Sequence, residues 1–206
     1  MTVMWRNTPG TYGLVTIIFH WAVAVLFIGQ IALGYLTQLS ADYPRQQFDL
    51  YQWHKSFGFL VLLLALLRAG WSLANVRPGP VPGSPPWETV AATAAHRLLL
   101  VLTILIPLAG WAIASTSPLN IPSVVFNRLL IPDLPLVRSD AAEAFWSSLH
   151  AWLAYGAGVL VLLHAGAAAM HHLVRRDRTL VRMLGTAGNR GDCRQSDDKS
   201  ENDAEA

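Results

Sequence analysis

Residues 149–172, LHAWLAYGAGVLVLLHAGAAAMHH, form a long apolar run that holds four histidines, and two of them, His150 and His164, stand fourteen residues apart. Imidazole is a metal ligand, a proton carrier near neutral pH and a hydrogen-bonding group. In hydrocarbon it is costly enough to mark a site or a polar contact between helices. Fourteen residues at about 100° each return to within roughly 40° of the starting direction after a rise of about 21 Å. One helix therefore offers an imidazole at each of two levels along a single stripe. Ala157 lies between them, flanked by Gly156 and Gly158. Small residues there leave room for a flat group or let a neighbouring helix approach closely; for the glycines taken alone, helix packing is the ordinary explanation.

The elements that must position these groups follow from hydropathy. The chain has 206 residues, 53% of them hydrophobic and 14% charged, with a mean hydropathy of +0.37. That is too apolar for an ordinary soluble domain. Stretches long enough to cross hydrocarbon, about 20 apolar residues each, occur four times: residues 12–36, 53–73, 92–114 and 146–174. Loop 37–52 is polar, loop 75–88 is proline-rich and reads as non-helical, and loop 115–145 carries four prolines. The expected fold is all-α, an up-down-up-down four-helix transmembrane bundle over residues 1–184, followed by a polar tail, 185–206, whose composition predicts disorder. The first segment is too long for the apolar core of a cleaved signal peptide. No internal repeat of the transporter kind and no nucleotide-binding glycine motif is visible.

An even number of spans puts both termini on one side. Arg6, Arg68, Arg77, Arg97, Arg175, Arg176, Arg178 and Arg182 gather on that side, and by the positive-inside rule it is the cytoplasm. The net charge of +2 gives no reason to expect nucleic acid. The lone cysteine, Cys193, lies in the tail, which excludes an internal disulfide and an iron–sulfur cluster built from this chain alone. No Cys-x-x-Cys-His motif is present for covalent haem attachment.

All seven histidines, His20, His54, His96, His150, His164, His171 and His172, fall in or beside the spans. At a rise of about 1.5 Å per residue, His20 lies roughly 12 Å inside the cytoplasmic boundary, at the level of His164. His54 and His150 share the outer level. Zinc favours three or four protein ligands, often carboxylate or thiolate, and none of the four stretches contains Asp or Glu. Metal transport is accordingly poorly supported. Two facing imidazoles per level within apolar walls suit a six-coordinate b-type haem in a helical bundle. The expected pairs are His20 with His164 on the inner haem and His54 with His150 on the outer haem. His96, Arg97 and Arg68 are candidate contacts to a haem propionate or a quinone, although a snorkelling interfacial role weighs as much for them. His171 and His172, beside the arginine cluster, read as interfacial anchors. Trp21, Trp53, Trp71, Trp111 and Trp152 read chiefly as an interfacial belt.

The combination of Phe19-His20-Trp21 in the first span, WHKSFG at the start of the second, AHR followed by IPLAGW in the third, and the histidine run with RRDRTLVRML closing the fourth resembles the bacterial cytochrome b561 family. The resemblance covers about residues 10–184. It implies a four-helix dihaem b cytochrome of the inner membrane with the same two histidine pairs, linked to quinone. Some members of that family are superoxide oxidases, which implies an oxidoreductase passing electrons from superoxide to ubiquinone, or otherwise an electron-transfer cytochrome. Lys55, Arg128 and Arg138 could form a basic approach for an anionic donor, but acidic residues in the same loops outnumber them. The alternative is a membrane-anchor subunit that passes electrons from a partner dehydrogenase or hydrogenase to quinone. A haem-free transporter is a third reading, disfavoured by the missing intramembrane carboxylates.

Overall fold

The computed structural model describes residues 4–80, 83 and 85–185; the polar tail beyond Gly185, with Cys193, lies outside the described residues. Four helices, α1 (Leu14–Leu39), α2 (Pro44–Leu73), α3 (Pro86–Thr116) and α4 (Asp140–Leu173), are each long and apolar enough to cross a membrane. They form a bundle in which α1 packs on α2, α2 on α3 and α3 on α4, with a looser closure between α4 and α1. Leucines such as Leu63, Leu66, Leu162 and Leu163 are exposed on its outside, where lipid rather than protein would cover them.

The helices overrun the apolar stretches. α2 starts at Pro44, inside the segment 37–52 expected to be a connection, α3 starts at Pro86 within the proline-rich loop, and α4 starts at Asp140. Proline is tolerated in the first turn because its missing N–H is one that has no helical acceptor there. Ser139 caps α4 by accepting a hydrogen bond from the Ala142 N–H at 3.1 Å, with Asp140 and Glu143 in the first turn, the sign of charge that a helix N-terminus favours. Hydropathy reports the part of a helix that lies in hydrocarbon; these polar turns extend past it.

The α3–α4 connection, expected to be irregular, holds a small antiparallel hairpin, β1 (Ser123–Val125) and β2 (Leu129–Ile131). Phe126 and Asn127 at its tip both have positive φ, 49° and 55°, and the Arg128 N–H donates to the Val125 carbonyl, the signature of a tight mirror-type turn. A phenylalanine in that conformation is strained. It is held by its N–H donating to Ser56 Oγ at 3.0 Å and by its ring lying against Trp53 and Phe57. The hairpin is thus strapped to α2 one turn from His54.

The core lies between the two histidine levels. Phe27, Val61, Leu102, Ile106 and Ala157 form one buried cluster, and Ala157 is fully buried. Of the flanking glycines, a methyl group at Gly156 would meet nothing within 4 Å. Within the small stripe Ala157 therefore packs into the side-chain core, while Gly156 faces open space.

Candidate functional site

Two imidazole pairs occupy opposite ends of the bundle. At the end shared by the N-terminal segment and the chain after α4, His20 and His164 have ring centroids 6.3 Å apart at an interplanar angle of 63°. At the loop end, His54 and His150 are 6.1 Å apart at 77°. Two metal–nitrogen bonds of about 2.0 Å, in line through two imidazoles, put the ring centres about 6 Å apart. His96 also reaches His164, but with the centroids at 5.1 Å, too close for a metal between them in that geometry. Among the described residues, no three His, Cys, Asp or Glu side chains converge so as to hold a metal ion.

The loop-end pair is backed by glycines. A methyl group added at Gly34 of α1 would lie 3.2 Å from His54 Cε1, and one added at Gly110 of α3 would lie 3.2 Å from His150 Cε1. Each ring therefore lies against bare backbone of the neighbouring helix. His150 Nδ1 is 2.9 Å from the Ile106 carbonyl, a bond in which the ring nitrogen donates. That fixes the tautomer and leaves Nε2 with its lone pair free, the arrangement in which a second hydrogen bond orients a metal-binding histidine. Pro107, next in the chain, removes one helical hydrogen bond at this level. Gln30 Nε2 donates to the His54 carbonyl at 2.8 Å. His20 Nδ1 and His54 Nδ1 are buried without a protein partner.

The two halves of the bundle, α1–α2 and α3–α4, are copies of one pattern. In α1 and α3 a histidine is followed fourteen residues later by a glycine: His20 and Gly34, His96 and Gly110. In α2 and α4 a histidine is followed fourteen residues later by a basic residue and then Ala-Gly: His54 and Arg68-Ala69-Gly70, His150 and His164-Ala165-Gly166. The helix pairs α1–α2 and α3–α4 thus form a parallel repeat, although no internal repeat is visible from the residue pattern of the spans taken one by one. Its signal in the sequence is the recurring fourteen-residue interval. The repeat places Arg68 at the level of His20, His96 and His164, with its charge acting on all three.

Other expected residues divide. Arg138 is bound by Asp133 at 2.5 Å, and Asp133 is also within electrostatic reach of Lys55. Arg128 sits beside the hairpin turn and is exposed. Arg97 is exposed as well. His171 is held by Asp177, Nδ1 to Oδ2 at 2.5 Å, and His172 is exposed. Burial raises the Asp177 carboxyl, but hydrogen bonds from Thr179 and His171 outweigh it and hold the group below its ordinary range. Arg175 forms a two-pronged pair with Glu88, both contacts at 2.6 Å, and this hydrogen bonding raises the guanidinium further above neutrality. The pair ties the end of α4 to the start of α3. Trp21 donates to the Met183 carbonyl and Trp71 to Thr16 Oγ1 at this same end, while Trp111 donates to the Pro132 carbonyl at the other. These indoles occupy the two rims, and Trp152, near the loop end of α4, is exposed.

Residues 11–186 match the family model described as prokaryotic cytochrome b561. The chain belongs to this family. As a family member it is a multi-pass bacterial membrane cytochrome b of electron transport, and haem b is the cofactor that membership implies. It is 35% identical over 181 residues to "Cytochrome b561 homolog 2" of Escherichia coli (strain K12), covering 87% of this chain and 94% of that protein. It is 31% identical over 178 residues to "Probable superoxide oxidase CybB" of Yersinia pestis, covering 84% and 95%. A third relative, "Cytochrome b562" of Cereibacter sphaeroides, is 28% identical over 180 residues, covering 85% and 96%. The donor set of this b561 cytochrome fits its implied cofactor: paired imidazoles at a metal-spanning distance, glycine backing and buried ring nitrogens without protein partners.

Proposed function

We propose that this cytochrome holds two haems b, one between His20 and His164 and one between His54 and His150, and conveys single electrons between a periplasmic donor and the ubiquinone pool. The observation that carries the reading is the pair of matched imidazole separations, 6.3 and 6.1 Å, at opposite ends of one membrane bundle. Bound haem would supply reversible one-electron chemistry. The chain's own residues fix its position and electronics: Ile106 orients His150, Gly34 and Gly110 let the outer rings approach, and Arg68 and His96 are available to a propionate or a quinone carbonyl. The clustered arginines support an orientation in which the termini and the His20–His164 pair face the cytoplasm of the inner membrane.

Superoxide is the most concrete donor, consistent with the name of the Yersinia relative. Each superoxide that yields one electron leaves as dioxygen, and two such electrons with two protons convert ubiquinone to ubiquinol. An anionic donor would approach through Lys55 and Arg128. Asp133 already engages Arg138, so the basic approach is narrower than the count of cations suggests. That pairing favours a second reading, a membrane-anchor subunit whose donor is a docked dehydrogenase or hydrogenase.

A reduced-minus-oxidised spectrum of the purified protein, with haem extracted and counted per chain, tests the scaffold; two low-spin b haems are expected, and none would overturn it. Superoxide-dependent ubiquinone reduction by that preparation then separates the two donors. Inactivity toward superoxide together with stable co-purification of a dehydrogenase or hydrogenase would favour the anchor.

A further inference from the structure

Arg68 is the member of the repeat whose presence the histidine pairs leave unexplained. Its counterpart on α4 is His164, and both α2 and α4 carry histidine at the outer level. The side chain is partly buried, and among the described residues it makes no hydrogen bond or ion pair. The groups on which its charge acts, or which act on it, are the imidazoles of His20, His96 and His164 and the Tyr12 phenol. The carboxylates at that end of the bundle, among the described residues, are Glu88 and Asp177, and these are held by Arg175 and His171. A guanidinium in an apolar span without a counter-charge is costly. The outer level differs: its nearest cation in sequence, Lys55, has Asp133 within electrostatic reach.

We propose that Arg68 makes the His20–His164 haem the better electron acceptor of the two, and so sets the direction of transfer from the loop end toward the terminal end. The inference rests on the two-haem reading. A haem held between these neutral imidazoles would carry one more positive charge when ferric than when ferrous, so a fixed cation nearby would disfavour the ferric state. If Arg68 instead pairs with a propionate, it cancels a negative charge that would favour the ferric state, and the sign is the same. The low-dielectric surroundings preserve the effect against screening. A tenfold bias in electron sharing corresponds to 59 mV for one electron.

The test is a spectroscopically followed redox titration of the full-length protein in detergent, with haem counted in each sample. Arg68→Gln should lower one of two one-electron waves by at least tenfold in its equilibrium constant and leave the other unmoved. Arg68→Lys, which keeps the charge, should hold that wave within threefold. The moved wave is assigned in a His150→Ala background, which should retain only the His20–His164 haem; His54→Ala serves if that variant does not accumulate. Where Arg68→Gln fails to assemble, Arg68→Met, uncharged and long, takes its place. Two haems with neither wave shifted, a shift in the outer wave, or an equal shift in Arg68→Lys would overturn the inference. Wild-type protein without haem would overturn the reading beneath it.

Discussion

The loop-end and terminal-end sites are built from the same fourteen-residue interval, yet they use it in opposite ways. At the loop end, α2 and α4 supply one histidine each while α1 and α3 supply glycine, so the pair is close-backed, and one ring is locked by the Ile106 carbonyl. At the terminal end, α1 and α3 supply histidine, α4 a third and α2 an arginine. The first arrangement specifies geometry. The second crowds three imidazoles and a cation together and so specifies charge. A single repeat can therefore yield two similar metal-spanning distances in environments that differ electrically.

The sharpest way to break the comparison is to remove one ring from each level. His150→Ala should lower extracted haem from two per chain to one, and His164→Ala should do the same at the other end; two haems retained in either variant would refute the pairing. Next in size is the glycine backing. Gly110→Val pushes into the His150 ring, and overpacking of this kind costs about 1–3 kcal/mol, seen as a lower melting temperature and weaker haem retention at the loop end. Gly156→Ala is the control, since a methyl group there meets nothing within 4 Å; it should be neutral or stabilising by up to about 1 kcal/mol.

A smaller effect is expected at the terminal rim. The Asp177 carboxyl is held below its ordinary value of 3.8, so its contribution to stability is complete above that value and is lost as the pH falls through the lower folded value. Asp177→Asn should cost under about 1 kcal/mol at neutral pH, and should flatten the acid end of a melting-temperature profile below pH 4. The smallest effect belongs to His96. With its ring only 5.1 Å from that of His164, His96→Gln should leave the haem count unchanged, and loss of the terminal-end haem would reassign the ligand.

Much of this was legible in the sequence. The four spans follow from hydropathy, and the levels of His20, His54, His150 and His164 follow from a constant rise per residue, because a helix in hydrocarbon must satisfy its own backbone. The polar first turns of α2 and α4 were not legible, since they lie beyond the apolar stretch that hydropathy detects. Nor was the Ile106 carbonyl as partner of His150, the capture of Arg138 by Asp133, or the hairpin held through Phe126. Each of these depends on which surfaces meet across the bundle, and no local periodicity carries that information. The repeat was readable in principle, but only by comparing intervals between residues of different types.

The repeat also divides the molecule into two halves joined by the proline-rich connection after α2, and each half supplies one member of each imidazole pair. His20 and His54 belong to the first half, His150 and His164 to the second. On the proposed pairing, a hairpin that inserted into the bilayer alone would carry only one imidazole of each pair, His96 standing too close to His164 to replace the missing ring. Cofactor capture at those pairs would then report that both hairpins have arrived and docked in register, so the act that equips the protein would also inspect its assembly.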